Sequence, residues 1–227
     1  MNIKSKLITA SIVLACAAQA SAVTVPFNES FPTDANGWLD GSSNPATWED
    51  VGGEQYISSL AEIPGPGGFG SIVFRGNAAD DASGDAFVGD WLSNGVGTFS
   101  LAVLHDAPSD LQFFARLNRG QGQAASSIFV DVPPNTWTTI TLPVVDDAST
   151  WQSFGAGTFN GVFTGISDVQ LALSSTQNPS LVGQSYTIGL DNVAIANVPE
   201  PATVGLLFLG GSALLLGGLR QLRSRRS

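Results

Sequence analysis

The chain has 227 residues, of which 43% are hydrophobic and 12% are charged, and its formal net charge is −10. An acidic balance of this size disfavours binding to nucleic acid and to anionic lipid, so we expect no nucleic-acid partner. The single cysteine, Cys16, lies near the N-terminus, so residues 23–198 hold no disulfide and their stability must come from packing.

Residues 1–22 have the layout of a cleaved secretory signal peptide. Two lysines precede an apolar run over residues 7–18, and Ala20 and Ala22 complete an Ala-x-Ala cleavage site. Cleavage after Ala22 is therefore predicted, which makes the protein an exported one. An alternative is lipoprotein processing at Cys16, because the three residues before it loosely resemble a lipobox.

Residues 23–197 are predicted to form one domain, which is long enough to bury a core without a second globular unit. The domain holds three arginines against 18 of the 19 acidic residues, so its net charge is −15. The arginines are Arg75, Arg116 and Arg119. A surface of this kind suits solubility in a salty exterior, where it could recruit divalent cations.

Gly and Pro recur throughout the domain, and no stretch of it has helical periodicity. Short segments instead alternate apolar and polar residues. These segments are 97–105, 111–117, 126–132, 137–142, 168–174 and 186–195. In the fifth segment Val169, Leu171 and Leu173 share one face while Asp168 and Gln170 share the other, the pattern of a half-buried strand. Many such strands separated by turn residues predict an all-β sandwich or barrel.

Several short motifs resemble laminin domain IV modules, which are galactose-binding-like jelly rolls. They are Asn36-Gly37-Trp38, Pro45, Trp48, Gly52-Gly53, Tyr56-Ile57-Ser58 and Gly89-Asp90-Trp91-Leu92. Segments 135–143 and 189–193 resemble the last long strands of many carbohydrate-binding jelly rolls. The resemblance implies an antiparallel jelly-roll β-sandwich, but it does not by itself imply that the domain binds sugar.

In jelly rolls of this kind the first strand lies beside the last, so Glu29 is expected to face Asp191. Hard oxygen ligands from two chain ends suit calcium, and we expect a structural calcium ion there. Leu190 and Val193 have opposite parity, which predicts a β-bulge at Asp191 and the residue after it. The alternative is that Asp191 caps a turn. A second acidic stretch, 77–85, lacks the pattern of an EF-hand and is predicted to be a solvated loop.

The sequence holds none of the common catalytic motifs, which predicts that the protein is not an enzyme and has no cofactor other than calcium. His105 is the only histidine, no cysteine follows the signal peptide, and Gly-x-Ser-x-Gly does not occur. We expect this histidine, at a strand end, to be structural. Residues 65–70 match Gly-x-Gly-x-x-Gly but precede no helical pattern, so they are predicted to be a loop. Paired carboxylates of a glycoside hydrolase remain an alternative, because their spacing in the fold is not visible in the sequence.

Three aromatic residues are candidate platforms for a sugar ring. Trp48, Phe69 and Trp151 lie in polar or Gly-rich surroundings, where an exposed ring could stack on a sugar face. Burial at the edge of the core is the alternative for each of them. The other three tryptophans lie in strand-like contexts and are predicted to be part of the core.

The C-terminal segment, 198–227, begins with Pro199-Glu200-Pro201 and continues with an uncharged run over residues 202–219. Four arginines close the chain: Arg220, Arg223, Arg225 and Arg226. As a helix the run would be about 27 Å long, enough to cross the hydrocarbon core of a bilayer. The basic end is expected to stay cytoplasmic, so this predicts a single transmembrane helix with the preceding domain outside.

The order of proline motif, apolar helix and arginine cluster resembles the PEP-CTERM sorting signal of Gram-negative bacteria that make extracellular polysaccharide. The resemblance implies that an exosortase, a membrane cysteine protease, recognises the motif and removes the helix. The inner-membrane anchor would then be transient, and the product would reach the cell surface or the medium. An ordinary tail anchor is the alternative.

Together these features predict a non-catalytic protein of the cell surface or biofilm matrix that associates with extracellular polysaccharide. The alternative is a structural or adhesive surface protein whose partners are other proteins. A glycan-active hydrolase is a third hypothesis.

Overall fold

A computed structural model describes residues 23–198 except positions 69, 121 and 176. Several sequence predictions fall outside the described residues: the signal residues Ala20 and Ala22, the sorting residues Pro199, Glu200 and Pro201, and the arginines Arg220, Arg223, Arg225 and Arg226. The predicted membrane span, residues 202–219, also lies outside them. Within the described part of the chain no helix is both long and apolar enough to span a bilayer.

The domain consists of strands joined by turns and short helical segments. In chain order the strands are β1 (Phe27–Glu29), β2 (Leu39–Asp40), β3 (Thr47–Val51), β4 (Glu54–Glu62), β5 (Ser71–Asn77), β6 (Val96–His105), β7 (Leu111–Gly120), β8 (Gln123–Ser127), β9 (Val130–Val132), β10 (Thr138–Pro143), β11 (Trp151–Phe154), β12 (Asp168–Leu173) and β13 (Ser185–Asn197). One α-helix, α1 (Phe159–Phe163), and two 3-10 turns, Ala78–Asp80 and Ala82–Asp85, complete the described elements. The prediction of an all-β fold is confirmed.

The strands form two sheets, and every strand pair in them is antiparallel. Sheet A has the order β10-β6-β13-β4-β3, with β1 paired to β13. Sheet B has the order β11-β8-β7-β12-β5-β2, with β9 paired to β7. Because β4, β5, β6 and β7 alternate between the sheets, the chain repeatedly crosses the core. The fold is therefore an antiparallel β-sandwich with the connectivity expected of a jelly roll.

The core lies between the sheets and follows the alternation of side chains along each strand. On β7, Leu111, Phe113, Ala115 and Leu117 are buried in it, and the residues between them point away from it. Trp38 and Trp91 are 1% and 0% exposed, which confirms two of the three tryptophans predicted to be core. The third, Trp137, is only half-buried and packs edge-to-face against Tyr56 at 5.3 Å. That prediction was wrong because the residue precedes β10 and lies over the outer face of sheet A.

A tight turn positions the side chain of Trp38 in the core. The Trp38 amide donates to the Ala35 carbonyl at 2.8 Å, and the two central residues, Asn36 and Gly37, have φ angles of 44° and 76°. Two consecutive positive φ angles are typical of a type I′ turn, which favours Asn-Gly. The indole Nε1 of Trp38 then donates to the Ser83 hydroxyl at 2.8 Å, which fixes the ring beneath the 3-10 turns.

Candidate functional site

The predicted bulge on β13 is present. The pairing of β13 with β6 shifts register between Asp191 and Ala194, and Asn192 has a φ of 48°. On the other side of β13, the pairing with β4 ends at Leu190 and the pairing with β1 begins at Val193. Glu29 pairs directly with Val193. The two carboxylates predicted to bind calcium therefore lie at one junction, where β1 takes the place of β4.

Glu29 is held tightly within this junction. It is 4% exposed, its Oε1 accepts from the Phe31 amide at 2.8 Å and its Oε2 accepts from the Asn36 side-chain amide at 2.5 Å. Both carboxylate oxygens thus stabilise the entry to the Asn36 turn. Sequence reasoning did not predict this local role.

Asp191 has a less complete set of partners. Its Oδ2 accepts from the Asn192 side chain at 2.6 Å, whereas its Oδ1 is buried and has no hydrogen-bond partner in the described structure. Burial raises the pKa of the Asp191 carboxyl, and the nearby charges of Glu54 and Glu29 raise it further. Among the described residues, no group of three or more His, Cys, Asp or Glu side chains is arranged to hold a metal. Calcium binding at Glu29 and Asp191 stays a prediction.

The predicted platform at Trp151 is wrong. This residue opens β11, where it points into the sandwich and is 4% exposed. Its ring packs edge-to-face against Phe163 at 5.1 Å, and its Nε1 donates to the Pro143 carbonyl at 2.8 Å. No ring face is left for a sugar, because the pairing of β11 with β8 turns this side chain inward.

The other two predicted platforms do not join Trp151 in one site. Trp48 lies on β3 at the edge of sheet A, is half-buried against the core and donates from Nε1 to the Phe31 carbonyl at 2.7 Å. Phe69 lies outside the described residues. The expectation for His105 is confirmed: it is 1% exposed, its Nε2 lies 2.8 Å from the Val132 carbonyl oxygen and burial lowers its pKa.

The structure shows a cleft that sequence reasoning missed, on the face of sheet B that points away from the core. Its volume is about 400 Å³, and it combines apolar rings with hydrogen-bonding side chains. The lining residues are Gly68, Phe114, Ser126, Ser127, Ile128, Phe129, Gln152, Phe154 and Ser175. Phe129 is 52% exposed and stands edge-to-face on Phe114 at 5.5 Å. The cleft therefore offers a solvent-accessible aromatic ring beside polar groups.

Strand alternation explains why these side chains face outward. Phe114 lies between Phe113 and Ala115, which are both in the core. On β11 the inward-facing Trp151 places the next residue, Gln152, on the outer face. The connection between β8 and β9 carries the exposed Phe129 over this surface.

A row of polar side chains crosses the same outer face and enters the cleft. Antiparallel register pairs Gln170 with both Arg75 and Arg116, Arg116 with Ser126, and Ser126 with Gln152. Directly paired residues point to the same side of a sheet. We call these five residues the polar row; they run across β5, β12, β7, β8 and β11.

Asp168 lies beside the polar row, two positions before Gln170 along β12 and on the same face of the sheet. Its Oδ2 accepts from the Asn118 side chain at 3.0 Å and from the side-chain amide of Gln170. Burial raises the pKa of the Asp168 carboxyl, although the hydrogen bonds and the charges of Arg75 and Arg116 act in the opposite direction. The Oδ1 of Asp168 and the Oε1 of Gln170 are buried without a partner in the described structure.

The sequence did carry a signal for this face. Arg75 on β5 and Arg116 on β7 each stand next to apolar residues that alternate into the core, so the strand pattern places both arginines on the opposite face. The sequence does not reveal the register between strands that lie far apart in the chain.

No protein-family model matches the sequence, and no curated protein matches it. Several solved structures are similar to the fold at low identity. The family 11 carbohydrate-binding module of the cellulase Lic26A-Cel5E of Clostridium thermocellum is 13% identical, with 80% of this chain and 99% of that chain covered and a TM-score of 0.48. The L4b domain of human laminin alpha-2 is 12% identical, with coverages of 68% and 98% and a TM-score of 0.39.

A larger enzyme is also similar to this chain. The Clostridium thermocellum xylanase 10B modules, solved with xylohexaose, are 14% identical with a TM-score of 0.45. The match covers 76% of this chain but only 28% of that protein. None of these comparisons bears on the PEP-CTERM resemblance, which stays a prediction.

Proposed function

We propose that the domain is a non-catalytic module that binds extracellular polysaccharide in the cleft on the outer face of sheet B. The observation that carries this proposal is the half-exposed ring of Phe129 beside Ser126, Gln152 and Ser175. A sugar ring has an apolar face that can stack on an aromatic side chain and hydroxyls that pair with polar side chains at its edge. The cleft supplies both kinds of group within one space of about 400 Å³.

The chemistry of the lining favours binding over hydrolysis. Glycoside hydrolysis generally requires two carboxyl groups on either side of the scissile bond. Among the described residues that line the cleft, none is Asp, Glu, His or Cys. This supports a module that holds a polysaccharide without cleaving it.

Replacing Phe129 with alanine is expected to weaken retention on the producer's own polysaccharide about tenfold, since burying a phenylalanine ring is worth roughly 1.5–3 kcal/mol. Affinity electrophoresis through gels that contain the polysaccharide measures the effect. Leu60→Ala is the matched control, because Leu60 is 74% exposed on β4 of sheet A. Both variants should melt like the wild type. Equal retention of Phe129→Ala and wild type would remove the cleft from the proposal.

An adhesive role with protein partners is the second candidate function. The observation that favours it is the pair of exposed apolar side chains on neighbouring strands of sheet A, Leu60 at 74% and Val51 at 59%. This role would leave the protein unretained by polysaccharide, and Leu60→Ala would weaken capture of the protein partner. The same two variants therefore separate the two functions.

We also propose that the protein is exported and processed by an exosortase, which follows from the resemblance of residues 198–227 to a PEP-CTERM signal. Mass spectrometry of the extracellular protein is expected to recover no peptide that runs through Leu206 to Leu219. An intact peptide across that segment in the secreted form would exclude removal of the predicted helix.

We further propose a structural calcium ion at the junction of β1, β4 and β13, held by Asp191 and Glu29. Support comes from the buried, unpartnered Oδ1 of Asp191 and from the repulsion that the charges of Glu54 and Glu29 exert on the Asp191 carboxylate. A divalent cation would pair with the buried charge and relieve that repulsion.

A further inference from the structure

The outer face of sheet B concentrates the few cations of the domain. Arg75, Arg116 and Arg119 are its only basic residues apart from the histidine, against 18 acidic ones. Two of them, Arg75 and Arg116, occupy the polar row on either side of Gln170. Because neighbouring strands lie about 4.8 Å apart, the backbones of the two arginines are separated by about 10 Å.

Among the described residues, Arg75 and Arg116 have no hydrogen-bond acceptor, whereas Arg119 has one. Nη1 of Arg119 donates to the Gly161 carbonyl at 2.6 Å. In the part of the chain that the structure describes, neither the Arg75 nor the Arg116 guanidinium donates a hydrogen bond to the protein or forms an ion pair within 4 Å. The Nε of Arg75 is also buried without a partner. Buried donors of this kind normally have a hydrogen-bond partner, so the arginine N–H groups on this face are available to a ligand.

One carboxylate lies near the two arginines, and it does not neutralise both. Asp168 directs its Oδ2 to Asn118 and Gln170 rather than to a guanidinium. Burial raises its pKa, which disfavours its charged form. Gln170, which separates the arginines, is 3% exposed and has an unpartnered Oε1. The cluster therefore carries a net positive charge within a domain that is otherwise strongly acidic.

We infer that the polar row selects polysaccharides that carry anionic groups, carboxylates or sulfate esters, and that Arg75 and Arg116 contact those groups. The inference rests on the proposed binding of polysaccharide in the cleft. Arg116 pairs with Ser126, which lines the cleft, so a chain stacked on Phe129 can extend over the row. A guanidinium presents parallel N–H donors that match a carboxylate or a sulfate. The acidic remainder of the surface would repel the same polymer, which restricts its binding to this face.

The test uses the purified full-length protein in affinity electrophoresis. The gels contain polygalacturonate, its carboxyl-reduced form, dextran sulfate or dextran. We expect the wild type to be retarded more by an anionic polymer than by its neutral counterpart. Loss of a charged hydrogen-bonding partner typically lowers affinity about tenfold or more, so Arg75→Gln and Arg116→Gln should each reduce retention by the anionic polymer to that extent.

Arg119→Gln is the matched control, because it makes the same change in charge outside the polar row. It should leave retention unchanged. Arg116→Lys keeps the charge but loses the planar fork, so it should fall between the wild type and Arg116→Gln. Melting curves identify any variant that fails to fold, and Arg116→Lys then provides the independent measurement. The carboxylated and sulfated gels decide which anionic group is preferred.

The outcomes separate this inference from the proposed function. Equal retention by anionic and neutral polymers, with loss in Phe129→Ala but not in the arginine variants, would overturn the anionic preference and leave polysaccharide binding intact. An equal loss in Arg119→Gln would also overturn it, because net charge alone would then explain the retention. A wild type retarded by none of these gels or by the producer's own polysaccharide would instead overturn the proposed function.

Discussion

Replacing Gly37 with alanine is expected to lower the free energy of unfolding by about 3 kcal/mol or more, a large fraction of the 5–15 kcal/mol typical of a domain. Gly37 has a φ of +76°, which L-residues adopt at a cost of about 1–2 kcal/mol. An added Cβ would also lie 2.4 Å from the carbonyl oxygen of Asp80 and 3.0 Å from Cα of Ala82. Since those are backbone atoms, the 3-10 turns over Trp38 would have to move.

Gly52→Ala is the matched control for this prediction. Gly52 has a φ of +67°, but an added Cβ there has no atom within 4 Å. Its replacement should cost only the left-handed backbone penalty, about 1–2 kcal/mol. Urea unfolding of both variants measures the difference. Equal destabilisation would show that the close approach to Asp80 has no energetic weight, and that the backbone conformation alone explains the preference for glycine.

Calcium at a hundred times its dissociation constant is expected to stabilise the folded protein by about 2.7 kcal/mol, provided that it binds only the native state. The rise in melting temperature should disappear in Asp191→Asn and persist in Asp131→Asn, which removes an exposed carboxylate on β9. A melting curve that responds to neither calcium nor chelator would remove the ion from the Asp191 junction.

The raised pKa of Asp191 also predicts the direction in which the stability of the protein changes with pH. A carboxyl whose pKa is higher in the folded state than in the unfolded state contributes stability at low pH, and this contribution is lost as the pH rises through the folded-state pKa. Without calcium, the ionised Asp191 should therefore destabilise the protein at neutral pH. Asp191→Asn should then be at least as stable as the wild type in chelator and less stable than it in calcium.

Much of the fold was predictable because period-two alternation depends only on neighbouring residues. The alternation on β12 correctly placed Val169, Leu171 and Leu173 in the core, and the parity change between Leu190 and Val193 corresponds to a bulge. The prediction that β12 is only half-buried was wrong, because its other face is covered as well and Gln170 is 3% exposed. The same local reading failed for Trp151. Its polar neighbours favoured an exposed ring, whereas pairing with Ser127 of β8, which lies 24 positions earlier in the chain, turns the ring inward.

The cleft and the polar row could not be predicted from the sequence because they depend on contacts between distant parts of the chain. Arg75, Arg116 and Gln170 become neighbours only when β12 inserts between β5 and β7. The alternation on β12 placed Gln170 correctly on the face opposite the core, but it could not show that Arg75 and Arg116 lie beside this glutamine. Prediction of the cleft required the strand order as well as the strands.

The pairing of β1 with β13 has a mechanical consequence. Residues 193–195, close to where the domain ends, are hydrogen-bonded to Phe27–Glu29, close to where it begins. Tension applied at Val198 would run along β13, which also pairs with β4 and β6. Such a force would load the hydrogen bonds on both sides of that strand in shear. They would then have to break at the same time instead of one by one. A protein tethered through its C-terminal side while its opposite sheet holds a polymer would therefore transmit force through its most extensively paired strand.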